Sequence, residues 1–304
     1  MSSFRLRPAT AADIAAVAEV QIALETELYG ETTYSQSDVE EEWSDLDLER
    51  DALVVLEGER VVAFGTGRER GELWRADGSV HPDVHGRGAG TQLATALEAA
   101  AAGRGARRVQ NSVLEADTAA QALVQSLGYR QVRVFRELRI ELDAPPAPPV
   151  WPEGLRVDAF DPASDDRAFH AAHQEAFADH WEYTPRPFEA WRKGNIESEK
   201  FDPTLWCVVR DGDEIAAGTI NVADLYGGGW VAALFTRRPW RRRGVGGALL
   251  ADAFGRFWER GERNVGLGVD AEGDLGAFEL YEHAGMKPVL GWVMYEKELG
   301  DGAA

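Results

Sequence analysis

The sequence predicts an α/β protein built as two tandem domains, each a central, mostly antiparallel sheet flanked by helices in a mixed α+β layout. Three observations predict it. The first is a repeat: Trp74 and Trp230, Gly88 and Gly244, and Gly90 and Gly246 are each 156 residues apart, while Asp117 with Asp274 and Gly128 with Gly285 are 157 apart. Similarity at so long a period means whole domains in tandem, not a solenoid. The second is the stretch DAPPAPPVWP, Asp143 to Pro152, whose prolines forbid a helix or a central strand. It reads as a semi-rigid linker, so 1–144 and 153–304 become the two domains and 145–152 the connection. The third is a shared centre: a short apolar strand, a glycine-bearing turn and an amphipathic helix, in both halves.

The elements follow in order. Phe4–Arg7 alternates as a strand. Thr10, with Asp13 three residues on, caps a helix carried by Ile14, Val17, Ile22 and Leu24 to about Leu28. Glu40–Leu48 is a second, acidic helix or an irregular segment. Ala52–Leu56 and Arg60–Thr66 flank the turn Glu57-Gly58-Glu59 as a hairpin. Gly71–Val80 is a strand that His81-Pro82 ends, and Gly86–Gly90 opens a helix through Leu93, Ala96 and Leu97. Arg107–Val113 is a strand, Asp117–Leu127 a helix that Gly128 stops, and Tyr129–Leu142 a closing strand pair. The second half repeats this order. Leu155–Phe160 is a strand; Ser164–Phe177 and Phe188–Ile196 are helices. Trp206–Arg210 and Glu214–Ala223 flank Asp211-Gly212-Asp213, and the centre at Trp230–Leu250 follows. Val265–Val269 is a strand, Asp274–Ala284 a helix and Pro288–Leu299 the closing strands.

The bulk numbers agree with two packed domains. The chain has 304 residues with 44% hydrophobic and 28% charged content, so a core is expected and disorder is not. One cysteine, Cys207, excludes a disulfide framework within the chain and fits a cytoplasmic protein; in the run LWCVV it reads as a core residue. The start lacks a signal-peptide pattern and no apolar run approaches the roughly 20 residues of a membrane span. A net charge of −20 argues against nucleic acid as a partner and suits a cationic acceptor, or simply a solvated surface.

The chemistry is concentrated in WVAALFTRRPWRRRGVGGALL, Trp230–Leu250. Trp230–Thr236 has the length and content of a buried strand. Gly244–Gly247 starts a helix whose first N–H groups have no partner within it, where the macrodipole favours an anion. Glycines admit a close ligand, and Arg241, Arg242 and Arg243 add charge, so a pyrophosphate is the natural guest. A kinase-type loop would need Gly-Lys-[Ser/Thr] after the glycines, and Gly246 is followed by Gly247 and Ala248.

Arg241-x-x-Gly244-x-Gly246 resembles the [Q/R]-x-x-G-x-[G/A] signature of the GNAT superfamily of acyl-CoA-dependent N-acyltransferases, and each half has the β-α-α-β-β-β-α-β-α-β-β order of that fold. In layout the chain is similar to the mycothiol synthases, a tandem group of the superfamily. The resemblance implies that Arg241, Arg242, Arg243, Gly244, Val245, Gly246 and Gly247 cradle the pyrophosphate of acetyl-CoA, the cosubstrate, with no metal. It implies that Leu234, Phe235 and Thr236 hold the pantetheine and supply a backbone N–H to the thioester carbonyl. The family's N-x-x-A-x-x-L-Y-E-x-x-G-[FM] pattern is met from Asp274 to Met286, with Asp274 where Asn is usual, and makes Tyr281 the acid that protonates the departing thiolate. The base is not readable. Trp230 stands where mycothiol synthases carry a glutamate; His180 and Glu182, in Asp179-His-Trp-Glu-Tyr183, are the candidates. His170 and His173 read as a surface pair. The first half is expected to be catalytically silent: His85 replaces the signature Arg or Gln and Val124 the tyrosine, although Arg87 and its glycines could still hold a pyrophosphate. The implied activity is acetyl transfer to a primary amine of a small molecule, by a monomer or homodimer. Two alternatives stand beside it: a narrower one, acetylation of a cysteinyl pseudodisaccharide, and one of another class, acyl-CoA sensing without turnover.

Overall fold

The computed structural model describes residues 4–273 and 276–300. Its elements are β1 (Phe4–Pro8), α1 (Ile14–Tyr29), α2 (Gln36–Trp43), α3 (Leu48–Asp51), β2 (Ala52–Glu57), β3 (Arg60–Arg70), β4 (Leu73–Val80), α4 (Ala89–Gly103), β5 (Arg108–Leu114), α5 (Thr118–Ser126), β6 (Arg130–Glu141), β7 (Arg156–Ala159), α6 (Asp166–Phe177), α7 (Phe188–Asn195), β8 (Cys207–Asp211), β9 (Glu214–Leu225), β10 (Gly228–Thr236), α8 (Val245–Arg260), β11 (Asn264–Asp270), α9 (Ala277–His283) and β12 (Lys287–Glu298). The chain forms two compact units: Met1–Phe135 with Leu290–Ala304, and Arg136–Val289.

In the first unit the strand order is β1-β2-β3-β4-β5-β12. β4 and β5 are parallel and the remaining neighbours antiparallel. Successive residues of a strand face opposite sides, and β2 shows it. Val54 packs with Val39, Trp43 and Phe64 under α1 and α2, while Val55 packs with Leu93, Leu97 and Val109 under α4. In the second unit the order is β6-β11-β10-β9-β8-β7, with β10 and β11 parallel. Its core is aromatic: Phe160 lies 4.7 Å from Trp206 and 5.1 Å from Phe169, which lies 5.1 Å from Phe235. Cys207 is fully buried, and burial pushes its thiol up. Among the described residues no helix is long and apolar enough to cross a membrane.

Two expectations differ from what is seen. Tyr129–Leu142 and Pro288–Leu299 are each predicted as strand pairs, yet β6 and β12 are single strands of 12 residues. β6, RQVRVFRELRIE, has no glycine, proline, asparagine or aspartate to turn the chain. The second concerns the units, whose division is not the cut at 145–152. Arg136–Asp143 belongs with the second unit, and from Leu290 onward the chain belongs with the first. There Trp292–Glu298 pairs with β5, from Trp292↔Leu114 to Glu298↔Arg108. Glu296, only 5% exposed, accepts hydrogen bonds from Arg108 (3.0 Å) and Gln110 (2.9 Å) in that pairing.

Candidate active site

The second unit has an opening in its sheet. β10 pairs with β11 only at Gly229↔Val265 and Trp230↔Gly266. Against β9 its register slips twice, between Gly228 and Trp230 and between Val231 and Ala233. Bulges add local twist and re-aim a strand, and here they turn β10 away from β11 immediately after Trp230. The backbone groups of residues 231–236 that face the gap are thereby left for another partner. The glycines before the gap are steric necessities: a Cβ on Gly228 would lie 2.2 Å from the Asn264 carbonyl oxygen, and one on Gly229 2.5 Å from the Phe257 ring. The Trp230 indole lies across β11, where a Cβ on Gly266 would come within 2.8 Å of it. In the first unit the matching strands part three residues later, so that Gly78–Val80, the counterparts of Leu234–Thr236, are what lies beyond the parallel pairing. β3 and β4 pair without a slip from Arg70↔Leu73 to Ala63↔Val80, and β4 stays zipped to β5 from Leu73↔Arg108 to Asp77↔Ser112, three residues past Trp74.

Beyond β10, residues Arg238–Trp240 form a short 3-10 turn. Arg242 (φ 59°) and Gly244 (φ 84°) are left-handed, and α8 then begins at Val245. Its first ladder bond is Ala248 N–H to Gly244 C=O at 3.2 Å. Consequently the N–H groups from Gly244 to Gly247 have no partner inside the helix. Alternating left-handed residues followed by a helix start make a concave array of amides suited to phosphate oxygens. Gly246 also keeps α8 close to α9, since a Cβ there would lie 3.1 Å from Leu280.

The arginines divide into two groups. Arg242 and Arg243 are exposed and, among the described residues, have no ion-pair partner. Arg241 is engaged: Nε donates to the Thr236 carbonyl (3.0 Å), Nη2 to the Ala176 carbonyl (2.9 Å) and Nη1 to Asp179 (2.9 Å). Its guanidinium is part of the wall, and its charge is shared with a carboxylate. Two further arginines do related work. Arg237 donates to Glu175 (2.8 Å) and to the Ile215 carbonyl (2.9 Å) and lies over Trp240, and Arg238 donates to both oxygens of Asp179. Sequence reasoning missed this network. Its only linear trace is the i,i+4 pair Glu175 and Asp179 at the end of α6.

The first unit keeps the loop's shape. Gly86 (φ 71°) and Gly88 (φ 95°) are left-handed at the positions of Arg242 and Gly244. His85, read from sequence as a departure, does what Arg241 does. Its Nε2 donates to the Val80 carbonyl at 2.9 Å, the counterpart of Thr236. Arg87 is ion-paired with Glu57.

Tyr281 sits in α9 within the core of the second unit, 8% exposed. Burial pushes its phenol up to about 12, so the side chain is fully protonated at neutral pH. Among the described residues nothing hydrogen-bonds its hydroxyl, which leaves the proton uncommitted. Leu280 beside it packs on Gly246, so α9 lies against the first turn of α8. Asp274 lies outside the described residues. In the first unit the corresponding Val124 is buried and carries no proton to give.

The segment after α6 carries the proposed bases. His180 packs on Phe177 with ring centroids 4.4 Å apart. Desolvation holds its imidazole below the ordinary value, and Asp270, at the end of β11, opposes that. Glu182 has a left-handed backbone, φ 51°. The segment is fastened by Gln174, whose Oε1 accepts from Tyr183 Oη (2.5 Å) and Arg186 N–H (2.8 Å), and by His170, which donates to the Arg186 carbonyl (2.8 Å). His170 and His173 are not a surface pair. His173 packs between Phe177 (4.7 Å) and Phe235 of β10 (5.6 Å), and burial pushes it down to about 4. Helical spacing turns both rings inward, which their polar neighbours in sequence conceal. Among the described residues no three His, Cys, Asp or Glu side chains are grouped as metal ligands.

Comparison with known proteins fits this geometry. The acetyltransferase (GNAT) family matches twice, at residues 17–129 and 166–286. A mycothiol acetyltransferase of Streptomyces scabiei (strain 87.22) is 34% identical over 228 residues, spanning 72% of this chain and 68% of that protein. The crystal structure of a GCN5-related N-acetyltransferase from Sphaerobacter thermophilus is 34% identical with a TM-score of 0.85, covering 97% of this chain and 95% of that one. A tandem GNAT protein from the clavulanic acid biosynthesis pathway shares the fold at 16% identity, with a TM-score of 0.76 over 99% of this chain and 100% of its own. One match falls in each compact unit, and the chain is therefore an N-acetyltransferase of the acetyltransferase (GNAT) family with two family domains in tandem.

Proposed function

We propose that the second unit binds acetyl-CoA and transfers its acetyl group directly to a primary amine of a small molecule, and that the first unit is catalytically silent. The observation that carries this reading is the opening between β10 and β11. The strand that parts there runs into the amide-rich turn, and in the first unit the parallel pairing continues three residues further. Acetyl-CoA supplies the acyl group as an activated thioester. The amides from Arg242 to Gly247, with the Arg242 and Arg243 side chains, hold its diphosphate. The edge of Leu234, Phe235 and Thr236 away from β9 hydrogen-bonds the pantetheine arm and aims an N–H at the carbonyl oxygen, where negative charge develops. His180 or Glu182, directly or through a water, takes a proton from the ammonium of the acceptor. As the C–S bond breaks, Tyr281 Oη gives its proton to the departing sulfur and its phenolate takes one from the nitrogen of the new amide; burial keeps the phenol protonated until the thiolate forms.

The test is thiol release from acetyl-CoA by the full chain against a panel of primary amines, with Tyr281→Phe as the variant. A positioned acid contributes about 10²-fold or more, so kcat should fall by about that factor with CoA affinity unchanged. A matched loss in affinity and turnover would remove Tyr281 from the chemistry. A tight CoA complex without release by any amine would favour an acyl-CoA sensor.

A narrower reading has its own support in the 34% identity to a mycothiol acetyltransferase: the acceptor is then the amine of a cysteinyl pseudodisaccharide. Trp230, at the position where that group carries a glutamate, weighs against an unmodified version of its chemistry. Turnover confined to that acceptor within the amine panel would select this reading.

A further inference from the structure

The basic turn after β10 is wired to the last turn of α6, and this wiring is confined to the unit with the open sheet. Asp179 Oδ2 accepts from Arg238 Nε and from Arg241 Nη1, each at 2.9 Å, and Oδ1 accepts from Arg238 Nη2. Arg241 simultaneously holds the carbonyls of Thr236, the last residue of β10, and Ala176, near the end of α6. Arg237 adds a bond to Glu175. Asp179 and Arg241 are about three-quarters buried, with side-chain exposures of 25% and 23%, so this pair is less screened than a surface ion pair. In the first unit the counterparts of Arg237, Arg238 and Arg241 are His81, Pro82 and His85. There the turn is tied to β3 instead, through Arg60 to Asp83 (3.2 Å) and His81 (2.8 Å).

We propose that Asp179 is a positioning residue that couples the phosphate-binding turn to the segment 179–187, which carries His180 and Glu182, so that loading the turn sets that segment for the acceptor. This rests on the proposed function, since it takes the diphosphate to sit at Arg242–Gly247. The physical basis is short and rigid. Three residues separate Arg238 from Arg242, and a 3-10 turn fills the space between. An anion that orders the backbone of 242–247 also orders the stems of Arg238 and Arg241. Their hydrogen bonds transfer that order to Asp179 and thus to the residue after it, His180. Asp179 is not part of the phosphate site. Its carboxylate holds Arg238 and Arg241, while the diphosphate takes the 242–247 amides and the Arg242 and Arg243 side chains, so its removal should not weaken CoA binding.

Hydrogen exchange of the full chain, with and without free CoA, tests this. In the native protein CoA should slow exchange of residues 179–187 by about tenfold, a typical coupling between sites. In Asp179→Asn, calorimetry should give a CoA Kd equal to or tighter than the native one, with slowing of 179–187 reduced to about twofold or less. Without CoA, the same variant should exchange faster than native in 179–187 and in 237–243, while β9 amides stay as in the native protein and report intact folding. Asp179→Glu should restore part of the coupling, and Arg238→Ala, which removes only the exposed partner, should lose part of it should the Asn variant fail to fold. Native-like exchange of apo Asp179→Asn in 179–187, or full CoA-induced slowing in that variant, would overturn the inference. Absence of CoA heat with the native chain would instead overturn the proposed function, and the apo comparison would still judge the clamp.

Discussion

Replacement of Tyr295 by Ala near the end of the chain should destabilise the unit at its beginning. Tyr295 is 1% exposed and packs with Tyr129, Val109 and Leu97 of the first unit. Its hydroxyl donates to Gln121 Oε1 (3.0 Å) and accepts from Gln125 Nε2 (3.1 Å), fastening α5 to β12. Removing a fully buried aromatic costs about 3–5 kcal/mol. The two glutamines lie near the surface and regain water, so their lost bonds add little. A loss of about 4 kcal/mol is about a 10³-fold change in an opening constant. It is smaller than the 5–15 kcal/mol that typically holds a domain together, so the unit stays folded and the change is measurable. Native-state hydrogen exchange reads it directly, because slow amides exchange through opening of their own cooperative unit. Amides of β2, β3 and β5 should exchange about 10³-fold faster in the variant, and those of β8 and β9 should not change. If β8 and β9 lose protection instead, the closing strand belongs to the second half, as a cut at 145–152 implies, and the assignment of Leu290–Ala304 to the first unit is refuted.

Three further outcomes follow from the same geometry. Gly244→Ala and Gly88→Ala each place a Cβ on a left-handed residue (φ 84° and 95°), which costs about 1–2 kcal/mol. Both should lower thermal stability, but calorimetry should show weaker CoA binding only for Gly244→Ala. His173 has a folded-state pKa of about 4 against an ordinary value of 6.5; as pH falls the unfolded chain takes up the proton first. The stability this site contributes is therefore complete above about pH 6.5 and lost progressively toward about pH 4. Urea melts of His173→Phe across that window should show a shallower decline than native. Val124→Tyr restores the missing phenol in the first unit, yet thiol release should not rise and CoA should still bind at one site per chain; two sites by calorimetry would show that the zipped sheet admits the acyl arm.

The sequence exposes what is local. β10 announces itself as an apolar run ending at a basic turn, α8 as an apolar face behind glycines, and α9 through the spacing of Ala277, Leu280, Tyr281 and Gly285. What it hides is non-local pairing. Trp74 and Trp230 are the same residue at the same place in the repeat, yet β4 pairs on past the first and β10 parts from β11 at the second. The separation depends on two slips against β9, and only Gly228-Gly229 hints at them. The charges of Arg237–Arg243 are countable, but their allocation is not. Glu175 and Asp179, about 60 residues away in the chain, engage three of the guanidinium groups. His85 shows the reverse error: it looks like the loss of an arginine, but what the fold requires there is an N–H donor to the preceding strand, and an imidazole supplies it.

These comparisons separate two properties that travel together in the family signature. The turn's shape needs only left-handed backbone at two positions and a donor to the strand end, and both units satisfy that with different residues. Room for an acyl arm needs the strand before the turn to leave its parallel neighbour, and β10 does so at Trp230 whereas β4 does so only after Asp77. A glycine motif therefore marks where a diphosphate fits and says nothing of whether the sheet is open beside it. In this chain the repeat preserved the turn's shape twice and the early parting of the strands once. Leaving strand edges unpaired sacrifices ladder hydrogen bonds that a ligand must replace, so a unit relieved of catalysis gains stability by closing. The Asp77↔Ser112 end of the β4–β5 ladder, three residues past Trp74, is the closure seen here, where the β10–β11 ladder stops at Trp230↔Gly266.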